Sequence, residues 1–253
     1  MSGRLPALIA HRGASGYAPE NTMAAFELAL KMGAGSAEFD VQQTKDGRLV
    51  VLHDADLKRV AGVKRRVGAM TWLDLSQLDV GSWFAAKFAG ERVPLLEEVL
   101  DLFKGKAELQ LELKQAERPY PGMVRRVVEL LAARPEWRKK VVLSSFHHGS
   151  LYEARELDPS ARLGYLLGLT RRGVALAEAR ELRCESVNLS ARQADETWAR
   201  ALHSAGLKML VYTVNEPKEY GRLHHLGVDA VFTNFPDLGR LHPRLAPGRT
   251  AAA

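Results

Sequence analysis

Residues 8–22 read LIAHRGASGYAPENT and predict a strand, a loop and the start of a helix. The apolar run is typical of a buried strand, and it ends at His11 and Arg12. Glycine and proline then break the chain before a helical pattern begins at Thr22. The loop lacks the glycine-rich turn that follows the first strand of a dinucleotide-binding sheet. The first question that this stretch raises is why a buried strand ends in a histidine and an arginine.

The same alternation repeats along the chain, with eight strands that are each followed by a helix. Strands are predicted at 7–10, 37–44, 108–114, 141–145, 162–167, 186–189, 208–214 and 230–233. Helices are predicted at 22–32, 95–103, 123–133, 151–157, 174–182, 196–205, 217–226 and from Pro236 onward. Strands that alternate with helices pair in parallel, and eight such units predict an α/β fold, the closed (β/α)8 TIM barrel. A doubly wound open sheet is the alternative, which the first loop disfavours.

One segment interrupts this rhythm. The Asp46-Gly47 pair predicts a hairpin turn from the second strand to a short arm at 49–53. Residues 54–93 are too long for a simple loop, and we predict a small insertion over the barrel mouth, within a single domain that spans 1–253. Trp72, Trp83 and Phe84 are expected to form its own core. The alternative is that they form an apolar wall at the mouth together with Phe88. The tail at 247–253 is expected to be disordered.

Composition narrows the class of protein. Of the 253 residues, 46% are hydrophobic and 26% are charged, which is typical of a soluble globular protein. The net charge of +6 is scattered over predicted helix faces without any nucleic-acid motif, so nucleic acid is not expected as a partner. No stretch is apolar enough for membrane insertion, and the single cysteine, Cys184, excludes an intramolecular disulfide. The expected location is the cytoplasm, and the oligomeric state stays open.

Acidic residues occur on two neighbouring predicted strands. Glu38 and Asp40 are two positions apart, so both point to one face of their strand, and Glu112 and Lys114 repeat the pattern. Three carboxylates that converge inside a barrel repel one another, and a divalent cation removes that repulsion. Oxygen ligands favour magnesium, calcium or manganese. The alternative is that Arg12 and Lys114 neutralise the acids as a structural ion-pair network.

Two histidines favour a catalytic site over a structural ion-pair network. His11 and His53 both lie at predicted strand ends that face the mouth, where one imidazole can accept a proton while the other donates one. Arg12 has a planar fork of donors that suits a phosphate group. His147 and His148 are weaker candidates for the same mouth. No serine or cysteine nucleophile motif and no Walker loop is present, so phosphoryl chemistry without a nucleoside triphosphate is favoured.

Five motifs carry a resemblance to a known family. They are HRGASGYAPENT at 11–22, AEFDVQQTKDGRLVVLHD at 37–54, LELK at 111–114, VYTVN at 211–215 and VFTNFPD at 231–237. Together they resemble the glycerophosphodiester phosphodiesterases, over nearly the whole chain. The resemblance implies a (β/α)8 barrel, one divalent cation, and hydrolysis of a glycerophosphodiester to glycerol 3-phosphate and an alcohol.

The resemblance also implies roles for individual residues. The metal ligands would be Glu38, Asp40 and Glu112, and the acid–base pair would be His11 and His53. Arg12 and Lys114 would hold the phosphate. Tyr212 stands where the family often has tryptophan. It would therefore provide an aromatic wall beside the substrate, but with a smaller ring. Asn21 is expected to cap the helix at Thr22, and Glu20 to orient a neighbouring side chain.

Two other functions stay open at this point. One is lysophospholipase D or phospholipase-C-like action on lipid phosphodiesters, which needs an apolar mouth. The other is a non-catalytic phosphodiester-binding barrel, against which the full set of histidines, acids and basic residues argues.

Overall fold

The computed structural model describes residues 5–115 and 119–241, so the tail at 247–253 lies outside the described residues. In chain order the elements are β1 (Ala7–His11), α1 (Met23–Lys31), β2 (Ser36–Gln43), β3 (Leu49–Val51), β4 (Asp56–Leu57), α2 (Lys58–Ala61), β5 (Val63–Arg66), α3 (Trp72–Leu75), α4 (Leu96–Phe103), β6 (Glu108–Leu113), α5 (Met123–Ala132), β7 (Val141–Ser145), α6 (His148–Leu157), β8 (Arg162–Leu166), α7 (Arg172–Glu181), β9 (Ser186–Ser190), α8 (Glu196–Ser204), β10 (Lys208–Tyr212), α9 (Pro217–His225), β11 (Ala230–Thr233) and α10 (Leu238–Leu241).

The main sheet closes into a barrel of parallel strands. β1 pairs in parallel with both β2 and β11, and the order between them runs through β10, β9, β8, β7 and β6 back to β2. β3 is added to β2 in antiparallel pairing through the predicted Asp46-Gly47 turn, where Gly47 has a φ of 82°. The predicted (β/α)8 barrel is confirmed.

The alternation of side chains along β2 explains how the barrel separates core from site. Phe39 packs edge-to-face on Phe26 of α1, which in turn packs on Phe103 of α4. These rings belong to the large buried layer between strands and helices. Because successive strand residues face opposite sides, Glu38 and Asp40 face the interior of the barrel. The same alternation in β6 buries Leu111 and Leu113 in that layer.

The segment at 54–93 forms a small structure beside the barrel, with β4 and β5 as a two-stranded sheet. Its own core joins the β3 arm: Val50, Leu52, Leu57, Val60, Val67, Met70, Leu75, Val80 and Val93. Trp72 packs against this core. Trp83 is instead 40% exposed, and it forms a row of edge-to-face contacts with Phe84 and Phe88. The expectation of an aromatic core is therefore confirmed for Trp72 and wrong for Trp83 and Phe84.

Three helix starts differ from the sequence expectations by two or three residues, those of α6, α7 and α10, and α7 begins at Arg172 instead of Val174. Helix α6 begins at His148, three residues before the predicted start at Leu151, and α10 begins at Leu238 instead of Pro236. The cap of α1 is Thr22, whose hydroxyl accepts a hydrogen bond from the Ala25 N–H at 3.3 Å. The expectation that Asn21 caps this helix is wrong, because its side chain points to the barrel interior. Within 5–115 and 119–241, no helix is long and apolar enough to cross a membrane.

Candidate active site

A cavity of about 230 Å³ opens at the carboxyl ends of the barrel strands. Seven of the eight residues predicted for the site line it: His11, Arg12, Glu38, His53, Glu112, Lys114 and Tyr212. The eighth, Asp40, is fully buried, and its carboxylate contacts Arg12 and Lys114 of this lining. The parallel register explains the convergence, since His11 of β1 lies opposite Glu38 and Asp40 of β2 lies opposite Glu112 of β6.

Three carboxylates come together at the base of this cavity. Glu38, Asp40 and Glu112 each place an oxygen within 4.8 Å of the others. The Oδ1 atom of Asp40 is buried and accepts no hydrogen bond from the part of the chain that the structure describes. A buried oxygen without a donor is costly, and a cation bound there would satisfy it. The donor set therefore fits an oxygen-coordinated divalent cation.

Two basic side chains compensate only part of the negative charge. Arg12 Nε lies 3.3 Å from Asp40 Oδ2, and Lys114 Nζ lies 2.9 Å from Glu112 Oε1. Burial raises the pKa of Asp40, but the charges of Arg12 and Lys114 outweigh it and lower that pKa to about 2. Burial and the adjacent Asp40 charge raise the pKa of Glu112 to about 7, and they also raise the pKa of Glu38 well above its usual value. Without a metal, the cluster thus resists full ionisation.

His11 is held in one orientation by a residue of the last barrel strand's loop. Its Nδ1 lies 2.8 Å from Asn234 Oδ1, so the ring donates its hydrogen there and keeps a lone pair on Nε2. Nε2 lies 3.9 Å from Glu38 Oε2, beside the carboxylate cluster. Burial, and then the charge of Arg12, lower the pKa of His11 to about 4. The imidazole is therefore neutral near pH 7 and able to accept a proton.

His53 is oriented by its neighbour in sequence. Its Nδ1 donates to Asp54 Oδ1 at 2.7 Å, which leaves Nε2 available for the cavity. Asp54 in turn accepts a hydrogen bond from Arg59 Nε at 2.7 Å. The two predicted histidines thus share one arrangement, in which a carbonyl or carboxylate oxygen holds Nδ1–H and leaves Nε2 for chemistry.

Asn21 contacts the candidate site, whereas its sequence position predicted a cap of α1. Its Nδ2 donates to Asp40 Oδ2 at 2.8 Å, and its backbone N–H donates to the Arg12 carbonyl at 3.0 Å. Arg12 and Asn21 both have positive φ, at 56° and 58°, which folds the loop back on β2. Asparagine tolerates that conformation better than most residues, and an asparagine directly before the predicted helix was the available signal.

One side of the cavity is apolar. Phe146, Leu166, Tyr212 and Phe232 line it, and the Phe146 and Tyr212 rings meet edge-to-face with centroids 6.0 Å apart. The Tyr212 hydroxyl donates to the Leu167 carbonyl at 3.0 Å, so this ring is held as a wall. Sequence reasoning missed the Phe146 contribution.

The remaining candidates lie outside this lining. His148 stacks on Tyr165 at 3.9 Å and its Nε2 lies 3.0 Å from the Leu166 carbonyl. His147 Nδ1 lies 3.0 Å from the Ser150 hydroxyl. Cys184 is buried among the helix-side core residues, and burial raises the pKa of its thiol to about 12. A buried thiol of that kind is a poor nucleophile.

The family model for the glycerophosphoryl diester phosphodiesterase family matches residues 11–238. The chain belongs to this family. A glycerophosphodiester phosphodiesterase of Bacillus subtilis is 36% identical, over 91% of this chain and 84% of that protein. One from Bacillus altitudinis is also 36% identical, over 91% of this chain and 95% of that protein. These matches confirm the resemblance drawn from the five motifs, and with it the assignment of the chain to an enzyme family.

A solved structure supports the same conclusion for the fold. The Oleispira antarctica phosphodiesterase, determined in complex with the product sn-glycerol-3-phosphate, is 30% identical to this chain and superimposes with a TM-score of 0.81. The match covers 92% of this chain and 94% of that one. This chain thus shares its barrel fold with that phosphodiesterase.

Proposed function

We propose that this family member hydrolyses glycerophosphodiesters to glycerol 3-phosphate and an alcohol with the help of one divalent cation. The convergence of three carboxylates, two basic side chains and two oriented imidazoles in one cavity carries the proposal. The bound product of the Oleispira antarctica enzyme supports the choice of substrate class. The insertion shares its core with Val50 and Leu52 of the β3 arm, which supports the view that 1–253 is one domain.

Glu38, Asp40 and Glu112 would hold the cation, with magnesium or calcium as the first candidates and manganese as the third. When bound, the cation supplies Lewis acidity and offsets the charge that grows on the phosphate. Arg12 and Lys114 bind the phosphate oxygens from the cavity wall, where water is partly excluded. Tyr212 packs against the apolar part of the substrate.

His11 and His53 divide the proton transfers. Neutral His11 is suited to accept the proton of the attacking hydroxyl at Nε2. His53 enters the reaction in its imidazolium form, with a proton on each nitrogen, and donates the Nε2 proton to the leaving alkoxide while Asp54 holds Nδ1–H. The attacking group is water or the neighbouring hydroxyl of the glycerol, and the latter would form a cyclic phosphate. Phosphorus NMR during turnover distinguishes the two routes, because only the second shows a transient cyclic species.

A substrate panel tests the proposal. Glycerophosphocholine, glycerophosphoethanolamine and lysophospholipids are each incubated with magnesium, calcium or manganese, and the free alcohol and the phosphomonoester are measured. The phosphomonoester is glycerol 3-phosphate from the short diesters and an acylated glycerol phosphate from D-type cleavage of the lysophospholipids. Turnover of the short diesters with at least one metal is expected. A folded protein that turns over none of them would overturn the proposal and favour the non-catalytic barrel.

Lysolipid hydrolysis is the second candidate, because apolar side chains are exposed near the mouth. Phe146 lines the cavity and is 45% exposed, and Trp83 of the insertion is 40% exposed. Selective loss of lysolipid turnover in Trp83→Ala would support this candidate, with Trp72→Ala as the matched control that alters the insertion core. Equal effects of Trp83→Ala on both substrate classes would contradict it. The cytoplasmic location stays a prediction.

A further inference from the structure

A continuous row of charged side chains joins the insertion to both sides of the candidate site. It runs from His53 through Asp54, Arg59 and Glu20 to Arg12, and each neighbouring pair is in hydrogen-bond contact. One end of the row is a proposed proton donor, and the other is a proposed phosphate-binding group. Arg59 lies at its centre, and no motif of the sequence analysis singled it out.

Arg59 uses all three of its nitrogen atoms in this row. Nη1 and Nη2 donate to the two oxygens of Glu20 at 3.0 and 2.7 Å, and Nε donates to Asp54 Oδ2 at 2.7 Å. A paired contact of this kind is geometrically specific, because the planar fork matches a carboxylate. The Trp83 ring lies 5.2 Å from the guanidinium carbon and covers one side of it. The hydrogen bonds to Glu20 and Asp54 raise the pKa of Arg59 further, so the group is charged at every working pH.

Each carboxylate that Arg59 holds has a second partner in the site. Glu20 Oε1 also accepts from Arg12 Nη1 at 2.9 Å, and Asp54 Oδ1 accepts from His53 Nδ1 at 2.7 Å. Glu20 and Asp54 are on different loops, and their side chains are only 16% and 27% exposed. Without Arg59, the Glu20 carboxylate would be held only by Arg12 among the described residues, and the Asp54 carboxylate only by His53. The orientation of Arg12 and of the His53 ring would then be fixed less tightly.

We propose that Arg59 is a positioning residue that couples the insertion to catalysis by orienting His53 through Asp54 and Arg12 through Glu20. The proposal rests on the proposed function, since His53 and Arg12 must act on a phosphodiester for their orientation to matter. This bridge links the insertion to the barrel, because Arg59 lies between Glu20 of the β1–α1 loop and Asp54 at the end of the β3 arm. Small displacements of reacting groups cost large factors in rate, so the effect is expected in turnover as well as in substrate affinity.

The test compares Arg59→Ala and Arg59→Lys with the wild type on glycerophosphocholine. Arg59→Ala should lower kcat/KM by about 10- to 100-fold, with a lower kcat and a higher KM, as is typical for loss of a side chain that orients a functional ligand. Arg59→Lys should recover little, because a single ammonium group cannot bridge three carboxylate oxygens. Arg65→Ala is the matched control, since Arg65 is an exposed arginine of the same insertion that pairs with Asp74 at 3.6 Å. It should keep wild-type kinetics.

Double variants separate positioning from simple stabilisation of the insertion. If Arg59 acts through Asp54, Arg59→Ala combined with Asp54→Asn should have the same kcat as Asp54→Asn alone. Glu20→Gln alone should raise KM more than it lowers kcat. Urea unfolding of each variant shows whether the fold persists.

Three results would overturn the proposal: wild-type kinetics in Arg59→Ala, full rescue by Arg59→Lys, or strictly additive losses in the double variant. Each of these results counts against the proposal only if the wild-type protein is active. An inactive wild type would instead contradict the proposed function, so the two failures are distinguishable.

Discussion

The two ends of the barrel both hold charged side chains, but they balance charge differently. At the mouth, three carboxylates share Arg12 and Lys114, and a buried oxygen of Asp40 lacks a donor among the residues described. At the amino ends of the strands, Arg162 donates to both oxygens of Glu185, at 2.6 and 2.8 Å. The cavity at that floor is about 360 Å³, larger than the 230 Å³ at the mouth. The mouth is thus distinguished by the uncompensated charge of its carboxylates and not by the size of its cavity.

Histidine–aspartate pairs show the same contrast. His53 and Asp54 meet at 2.7 Å in the mouth, whereas His203 and Asp229 meet at 3.1 Å at the floor. Asp229 also accepts from the Met209 backbone N–H at 2.8 Å, which ties α8 to the sheet. The same pair of residue types thus lines the candidate site at one end and links structural elements at the other.

Removal of the metal should have the largest effect. Exhaustive chelation should abolish turnover, and magnesium, calcium or manganese should restore it, because three carboxylates alone repel the phosphate. Glu112→Gln should weaken cation binding measured by calorimetry, since one anionic oxygen is lost, whereas Glu185→Gln at the floor should not. Full activity after chelation would contradict the metal assignment.

Loss of either mouth histidine should be next in size. His11→Ala and His53→Ala should each lower kcat at least about 100-fold, the range typical of a lost general acid or base, with little change in urea stability. His203→Ala at the floor is the control and should keep near wild-type kcat. A His11→Ala enzyme as fast as that control would show that the acid–base assignment is wrong.

The floor ion pair should affect stability alone. Arg162→Ala leaves Glu185 without its two hydrogen bonds, which should lower the free energy of unfolding by about 1–2 kcal/mol. The kcat should not change, because the pair lies at the opposite end of the barrel from the carboxylates. Lys31→Ala breaks an exposed pair with Glu27 and should have almost no effect on unfolding. A drop in kcat for Arg162→Ala at full stability would weaken the division between the two ends.

The smallest effect is expected for a carboxylate that is satisfied without any metal. Asp79 accepts hydrogen bonds from the Ser82 hydroxyl and from the N–H groups of Ser82, Gly81 and Gly90, and these lower its pKa. A lowered folded pKa stabilises the fold above the unfolded value of about 3.9. That contribution is lost as pH falls toward the folded value.

Asp79→Asn should therefore lower the urea midpoint slightly at pH 7, and the difference from the wild type should shrink below pH 4. Asp56→Asn, at an exposed aspartate of the same insertion, provides the control. A difference that stays constant from pH 7 to pH 3 would show that the carboxylate charge is not responsible.

Sequence patterns predicted the elements whose signal is local. Strand and helix alternation identified the barrel, and period-two spacing placed Glu38 with Asp40 and Glu112 with Lys114 on inward faces. Helix starts were predicted less accurately. The start of α6 was predicted three residues late, because the histidine and the glycine in its first turn weaken the helical pattern. Asn21 was interpreted as a cap because the motif places it beside Thr22, and only the fold shows its contact with Asp40.

Contacts between loops that are distant in sequence could not be predicted from these local patterns. The bridge from Arg59 to Glu20 spans 39 positions, and that from Asn234 to His11 spans 223. The exposure of Trp83 was also unpredictable, since an aromatic residue in a small insertion is equally compatible with a core or a surface position. These features depend on how the insertion packs on the barrel.

The sequence by itself determined the barrel, the family and the residues that reach the mouth, because strand periodicity and short motifs encode which side chains point inward. Only the tertiary structure decided which partner holds each of them: Asn234 for His11, Asp54 for His53, Asn21 for Asp40 and Arg59 between the loops. The physical reason is that strand closure and loop packing bring together groups that are far apart in the chain. Their distances, burial and charge balance exist only once the barrel is closed.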